Sequence, residues 1–87
     1  MMKLKKELLG MELTLMELDN KMVEAGYYTI FDDGILEEVL RDGNAMFLSI
    51  EDNETQILVS FEVTILADKK TEFLGASYVK ITDIEKM

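Results

Sequence analysis

Apolar and polar positions alternate along residues 56–66, the longest alternating run in the chain. Every odd-numbered position from 57 to 65 is β-branched or aromatic, whereas Ser60, Glu62 and Thr64 stand at even positions. Strict alternation of this kind is typical of a strand with one face in the core. The pattern therefore predicts the central strand of a sheet, with the odd-numbered side chains facing the core.

Residues 2–25 carry apolar side chains with a helical period. Spacings of four and three residues alternate, which is the heptad pattern of an amphipathic helix. This first stripe consists of Leu4, Leu8, Met11, Leu15, Leu18, Met22 and Ala25. A second apolar stripe consists of Leu9, Leu13, Met16 and Val23. We predict one long helix that ends at Gly26, with its first stripe on the sheet. The second stripe is either part of a broad core face or a contact face for a second copy of the chain.

The segment after this helix is open to two interpretations. Residues 27–31 (YYTIF) form an extended linker or a short strand. Apolar positions 35, 36, 39 and 40 have helical spacing, and Asp33 is a suitable N-cap. We therefore favour a short second helix over residues 35–41. The alternative is a hairpin that turns at the DDG sequence of residues 32–34, although two adjacent glutamates would interrupt its second strand.

Two further strands are predicted, over residues 45–51 and 72–82, and residues 84–87 are expected to form a loose tail. The expected inward side chains are Met46, Leu48 and Ile50 in the former strand and Phe73, Val79 and Ile81 in the latter. Matching inner faces pairs Leu48 with Val59 and Phe61 with Ser77. The predicted fold is α+β: a long N-terminal helix, a short second helix, then a three-stranded antiparallel β-meander packed on the long helix. A chain of 87 residues is expected to form a single domain, residues 1–87.

This register places Phe47, Ser60 and Tyr78 in one row on the outer face of the sheet, with Leu58 beside them. Aromatic residues on a sheet face often only cover the sheet through cross-strand packing. Exposed aromatic residues also mark contact surfaces for other proteins. The four residues are therefore a candidate partner patch.

The composition argues against an enzyme. The chain contains no histidine and no cysteine, so the commonest general base, the commonest metal ligand and all thiolate sites are missing. Its serines have no histidine to activate them. The acids of residues 32–38 match no calcium-binding loop, and an acidic first helical turn explains them. We predict no catalytic residue, no metal site and no cofactor.

Acidic residues dominate the charge. The chain carries 18 acids and 9 bases, a net charge of −9. Between residues 7 and 62 there are 14 acids and two bases, a local charge of −12. This sign opposes direct binding to nucleic acid or to anionic membranes. No apolar run approaches the roughly 20 residues of a membrane span, and glutamates follow the N-terminal lysines, so a cytoplasmic location is expected.

Two functions from different classes fit these observations. The first is a small non-enzymatic protein-interaction module that works as a homodimer and has room for another protein as a second partner. Its contact residues would be those of the second helical stripe. The alternative is an acidic inhibitor that mimics nucleic acid by occupying a basic surface on another protein. Strong salt dependence of binding would distinguish the inhibitor from the homodimer.

Overall fold

The computed structural model describes residues 2–29, 36–65 and 77–87, and it arranges them as a five-stranded antiparallel sheet with three short helices. In chain order the elements are α1 (Met2–Leu8), β1 (Glu12–Thr14), α2 (Leu15–Glu24), β2 (Tyr27–Thr29), α3 (Leu36–Asp42), β3 (Asn44–Ser49), β4 (Gln56–Ile65) and β5 (Tyr78–Lys86). The strand order in the sheet is β1-β5-β4-β3-β2. The Cα radius of gyration is 12.0 Å, the value expected for a compact chain of this length.

The single long helix and the three-stranded meander predicted from the sequence are wrong. The N-terminal segment is instead divided into α1, β1 and α2. Gly10 has a positive φ of 83°, and its N–H donates to the Ile81 carbonyl at 2.8 Å. A new helix then begins at a capping box, in which Glu17 N donates to Thr14 Oγ1 and Thr14 N donates to Glu17 Oε1. The heptad spacing continues across this break, which is why it predicted one helix.

Replacing Gly10 by alanine is expected to destabilise the fold by about 1–2 kcal/mol, because an alanine at a left-handed position is strained. In a continuous helix the same change would stabilise the protein by about 1 kcal/mol. The sign of the change in stability therefore distinguishes a broken helix from a continuous one. Urea denaturation followed by circular dichroism measures it. Asn20→Ala, at an exposed position of α2, is the matched control and should be slightly stabilising. A higher midpoint for Gly10→Ala would support the continuous helix.

Helix α2 connects the two edges of the sheet. It follows β1 directly and leads into β2, and these strands lie at opposite ends of the strand order. A ten-residue helix is about 15 Å long, whereas five flat strands would span about 19 Å. The curl of the sheet into a half-barrel brings its edges within reach of the helix. Leu15, Leu18 and Met22 of α2 are buried in the core.

The core lies between the helices and the concave face of the sheet. Its sheet residues are Leu13, Ala45, Phe47, Ile57, Val59, Phe61, Val79, Ile81 and Ile84. The orientation predicted for β4 is confirmed at its first three odd positions, which are buried. Further along β4, Val63 is only half-buried and Ile65 is exposed.

The orientation predicted for β3 is wrong. Ala45 and Phe47 face the core, Met46 and Leu48 are half-buried on the outer face, and Ile50 lies outside the strand and is exposed. The observed register pairs Ala45 with Val59 and Phe47 with Ile57. The prediction chose the larger side chains as the inner set, and a shift of one residue exchanges the two faces.

Strand β5 lies further along the chain than predicted. It continues to Lys86, and Ile84, assigned to a loose tail, is buried and paired with Val59. A register shift pairs Ser60 with Asp83 but Phe61 with Ile81. The predicted inward residue Phe73 lies outside the described residues. The short strand at 27–29 and the second helix are present as β2 and α3, whereas the predicted cap Asp33 lies outside the described residues.

The turn between β3 and β4 is organised by the Asp52 carboxylate. It accepts hydrogen bonds from the backbone N–H groups of Glu54 and Thr55, at 2.9 and 3.0 Å, and from the Thr55 hydroxyl at 2.8 Å. The Tyr28 hydroxyl donates to Asn53 Oδ1 at 3.2 Å and ties β2 to this turn. The bonds from Thr55 and Glu54 lower the pKa of Asp52 to about 2.

Stability should fall in acid partly because of Asp52. Its pKa in the folded protein lies below the ordinary value of 3.8, so its contribution is present above about pH 4 and is lost as the pH falls towards 2. We expect Asp52→Asn to lower stability at pH 6 and to make less difference at pH 2.5. Urea denaturation at both pH values tests this. Glu54→Gln is the control, because Glu54 donates to Asp52 through its backbone N–H, which the substitution keeps. Equal effects of Asp52→Asn on stability at both pH values would contradict the role assigned to the Asp52 carboxylate.

Candidate functional site

The helical layer, defined here as α1 and α2 with the residues that join and end them (2–26), exposes several large apolar side chains. They are Leu9, Met11, Met16 and Val23, with 48, 37, 51 and 48% of their surfaces exposed. Three of them belong to the predicted contact stripe. The fourth stripe residue, Leu13, lies in β1 opposite Val79 and is only 3% exposed. The structure therefore does not bring the stripe together as one helical face.

One flank of α2 combines two of these apolar side chains with an acid. Met16, Asp19 and Val23 lie within an arc of about 60° around the helix axis, because successive residues are about 100° apart. Asp19 is half-buried, and its Oδ1 is shielded from solvent without a hydrogen-bond donor among the described residues. Asp19 was not singled out from the sequence, since the pattern does not reveal whether an acid between two apolar positions is solvated.

A groove of about 430 Å³ opens on the other flank of α2, between α1 and α2 and beside β2. Its apolar lining consists of Leu4, Leu8, Met11, Ala25 and Tyr27. Its charged lining consists of Lys3, Glu7, Lys21 and Glu24. The two lysines and two glutamates cancel, so the groove has a mixed polar and apolar lining without net charge in a strongly acidic protein.

The distribution of charge separates the helical layer from the rest of the chain. Residues 1–26 contain four lysines and five acids, which is a net charge of −1. The other 61 residues contain five bases and 13 acids, so they carry −8 of the total of −9. Residues 27–62, with nine acids and one base, account for this difference. Two copies of this protein therefore repel each other less where their helical layers meet than where their residues 27–62 meet.

The structure does not place the four residues of the predicted sheet patch on one face of the sheet. Phe47 is fully buried and points into the core. Ser60 pairs with Asn44 and Asp83, whereas Tyr78 pairs with Thr14 and Ile65, so the predicted row is not formed. The outer face instead carries two cross-strand apolar pairs, Tyr28 with Leu48 and Met46 with Leu58. Of the predicted patch, Leu58 alone belongs to these pairs.

Among the residues that the structure describes, no group of three or more acidic side chains is arranged to hold a metal ion. The ion pair between Lys5 Nζ and Asp83 Oδ1, at 2.9 Å, joins α1 to β5 on the surface. No helix within the described ranges is long and apolar enough to cross a bilayer.

Comparison of the chain with protein-family models, with curated proteins and with solved structures gave no match.

Proposed function

We propose that this protein is a non-enzymatic interaction module that works as a homodimer through its helical layer. Single exposed apolar residues are ordinary on a protein surface, but several on one layer favour a contact surface. The observation that carries the proposal is their coincidence with the charge distribution. Leu9, Met16 and Val23 lie in a part of the chain that is close to neutral, with a net charge of −1 over residues 1–26.

Size gives a second reason for self-association. A domain of 87 residues buries only about 60–65% of its unfolded surface, and this chain has no cysteine with which to form a disulfide. Small domains without such cross-links commonly gain stability from oligomerisation. Burying exposed apolar area of Met16 and Val23 in a dimer would contribute about 25 cal/mol for each Å² removed from water.

Substitution of the exposed apolar residues tests the proposal. We expect Met16→Gln with Val23→Gln to weaken dimerisation at least tenfold while leaving the fold intact, because both side chains are half exposed in the single chain. Sedimentation velocity over a concentration series measures this. Ile50→Gln is the matched control, since Ile50 is 50% exposed but lies in the turn after β3. Equal effects of the control and the double variant would contradict the proposed face.

The acidic remainder of the chain favours a second candidate, an inhibitor that occupies a basic, nucleic-acid-binding surface. Its support is the charge of −8 outside the helical layer, which is the net charge of residues 27–62. Binding of this kind weakens steeply with salt. Immobilised protein would then capture nucleic-acid-binding proteins at about 50 mM salt and release them to added duplex DNA. Capture that neither salt nor DNA reverses would contradict mimicry.

A further inference from the structure

The convex face of the sheet departs from the pattern of an ordinary solvated sheet face. One face of an antiparallel sheet usually packs on the core, and the other carries polar side chains that face water. Here the outer face carries two cross-strand apolar pairs, Tyr28 with Leu48 and Met46 with Leu58. Tyr28 is 38% exposed, and the other three side chains are half-buried. These four residues are called the convex patch.

None of the helices that the structure describes lies over the convex patch. Helices α1, α2 and α3 contribute their buried residues to the core, on the concave side of the sheet. The patch extends across β2, β3 and β4, which are neighbours in the sheet, so its width is about 10 Å at a strand spacing of about 4.8 Å. An α-helix has a diameter of about 10 Å, so one helix laid along the strands would cover the patch.

The surroundings of the convex patch are acidic. Its residues belong to segment 27–62, which contains nine acids and one base. Beyond the Leu48 end of the patch, the turn between β3 and β4 exposes three acids, Glu51, Asp52 and Glu54. On the β5 side, Glu85 is the cross-strand neighbour of Leu58. A partner that covers the patch therefore meets carboxylates at its edge.

The nearby cations do not cancel these acids. Arg41, the base of segment 27–62, precedes β3 and lies 3.8 Å from the carboxylate of the next residue. Lys80 is the cross-strand neighbour of Glu62. Lys86 follows Glu85 directly, so its side chain points to the other side of β5. The edge of the patch therefore keeps its negative charge.

We propose that the convex patch binds a cationic amphipathic helix of another protein. The apolar stripe of such a helix covers the two cross-strand pairs, and its lysine or arginine side chains reach the acids at the edge of the patch. Twofold pairing of two convex patches is disfavoured, because it brings together two segments that each carry a charge of −8. The inference is independent of the proposed self-association, since the helical layer lies on the opposite side of the sheet.

A defined peptide tests this proposal. The probe is a fluorescent peptide of about 14 residues, made of leucine and lysine, with its leucines at helical spacing. We expect a dissociation constant below about 100 µM at physiological salt, which Met46→Gln with Leu58→Gln should raise about tenfold or more. Met16→Gln with Val23→Gln, on the helical layer, is the matched control and should change it less than about twofold. A peptide of equal charge with glutamine for leucine should bind about tenfold more weakly or worse.

A charge reversal that leaves the core untouched provides a second test. Glu54→Lys changes an exposed side chain in the turn beside the patch, and Glu24→Lys changes the net charge equally on the helical layer. At physiological salt the first should weaken peptide binding about threefold or more and the second less than about twofold, because charges beyond about 8 Å are screened. Melting temperatures of all variants verify that the fold is intact.

Several results would overturn the inference. They are the absence of binding up to about 100 µM, equal binding of the two peptides, and equal weakening by a variant and its matched control. If Met46→Gln with Leu58→Gln weakened self-association in place of peptide binding, a second copy would be the occupant of the patch and the inference would fail. A monomeric wild type that binds the peptide at the convex patch would refute the proposed homodimer alone.

Discussion

Replacement of Phe47 by alanine is expected to lower the free energy of unfolding by about 3–5 kcal/mol. Phe47 is fully buried, and its strand places it opposite Ile57 in the core. Truncation leaves a cavity as well as removing apolar contacts. A domain of this kind has a total stability of only about 5–15 kcal/mol, so much of the variant should be unfolded at 37 °C. On the outer face, where the sequence pattern placed Phe47, loss of a cross-strand aromatic contact would cost no more than about 1 kcal/mol.

Urea denaturation followed by circular dichroism measures this difference. Leu48→Ala is the matched control, because Leu48 is the next residue of β3 and is half-buried on the opposite face. The control should lose clearly less stability than Phe47→Ala. If the two variants lost similar amounts, or if Leu48→Ala lost more, the observed orientation of β3 would be incorrect.

Replacement of Leu13 by alanine is expected to destabilise the protein by about 2–5 kcal/mol. Leu13 is 3% exposed and lies in β1, next to Val79 of β5. It therefore holds the edge of the sheet onto the core. If Leu13 belonged to an exposed contact face, the same change would weaken dimerisation and leave the single chain stable.

Thermal unfolding at low protein concentration distinguishes these two roles of Leu13. Leu9→Ala is the control, since Leu9 is 48% exposed at the end of α1. We expect the melting temperature to fall by well over 5 °C for Leu13→Ala and by little for Leu9→Ala, because about 1 kcal/mol corresponds to 4–8 °C in a domain of this size. Similar melting temperatures for wild type and Leu13→Ala would show that Leu13 is not a core residue.

The local sequence pattern predicted those strands and helices in which buried residues recur at one regular spacing. The alternation of residues 56–66 located β4 and its inner face, because this strand pairs with neighbours on both sides and its first half is covered by the core. Helical spacing located α3, where Val39 and Leu40 are buried. In both cases the buried apolar residues are close together in the sequence, so their spacing is enough to predict the element.

Distant hydrogen bonds determine the features that the pattern missed. The break at Gly10 depends on its bond to Ile81, 71 residues further along the chain. The pairing of β2 with β3 extends one residue beyond both strands, where the Ile50 N–H donates to the Gly26 carbonyl at 2.9 Å. Neither partner is visible from local spacing. The first bond holds the break in the N-terminal helix against β5, and the second holds the residue before β2 against the end of β3.

The residues of the candidate site were predicted only in part, because contacts between distant parts of the chain decide which side chains are exposed. Amphipathic spacing singled out Met16 and Val23, which are exposed on α2. It also included Leu13, because a continuous helix would have placed all of them on one stripe. The burial of Asp19 Oδ1 could not be predicted from residue type, because it depends on which atoms of the folded chain cover the carboxylate.

Sedimentation equilibrium of the unmodified protein measures self-association without any substitution. The chain has a mass of 10.0 kDa. We predict a mass approaching twice this value as the concentration rises through the micromolar range, with an association that persists at high salt because the contact is mainly apolar. A mass that stays at that of one chain up to about 100 µM, a concentration far above the micromolar dissociation constants of ordinary specific complexes, would contradict the account.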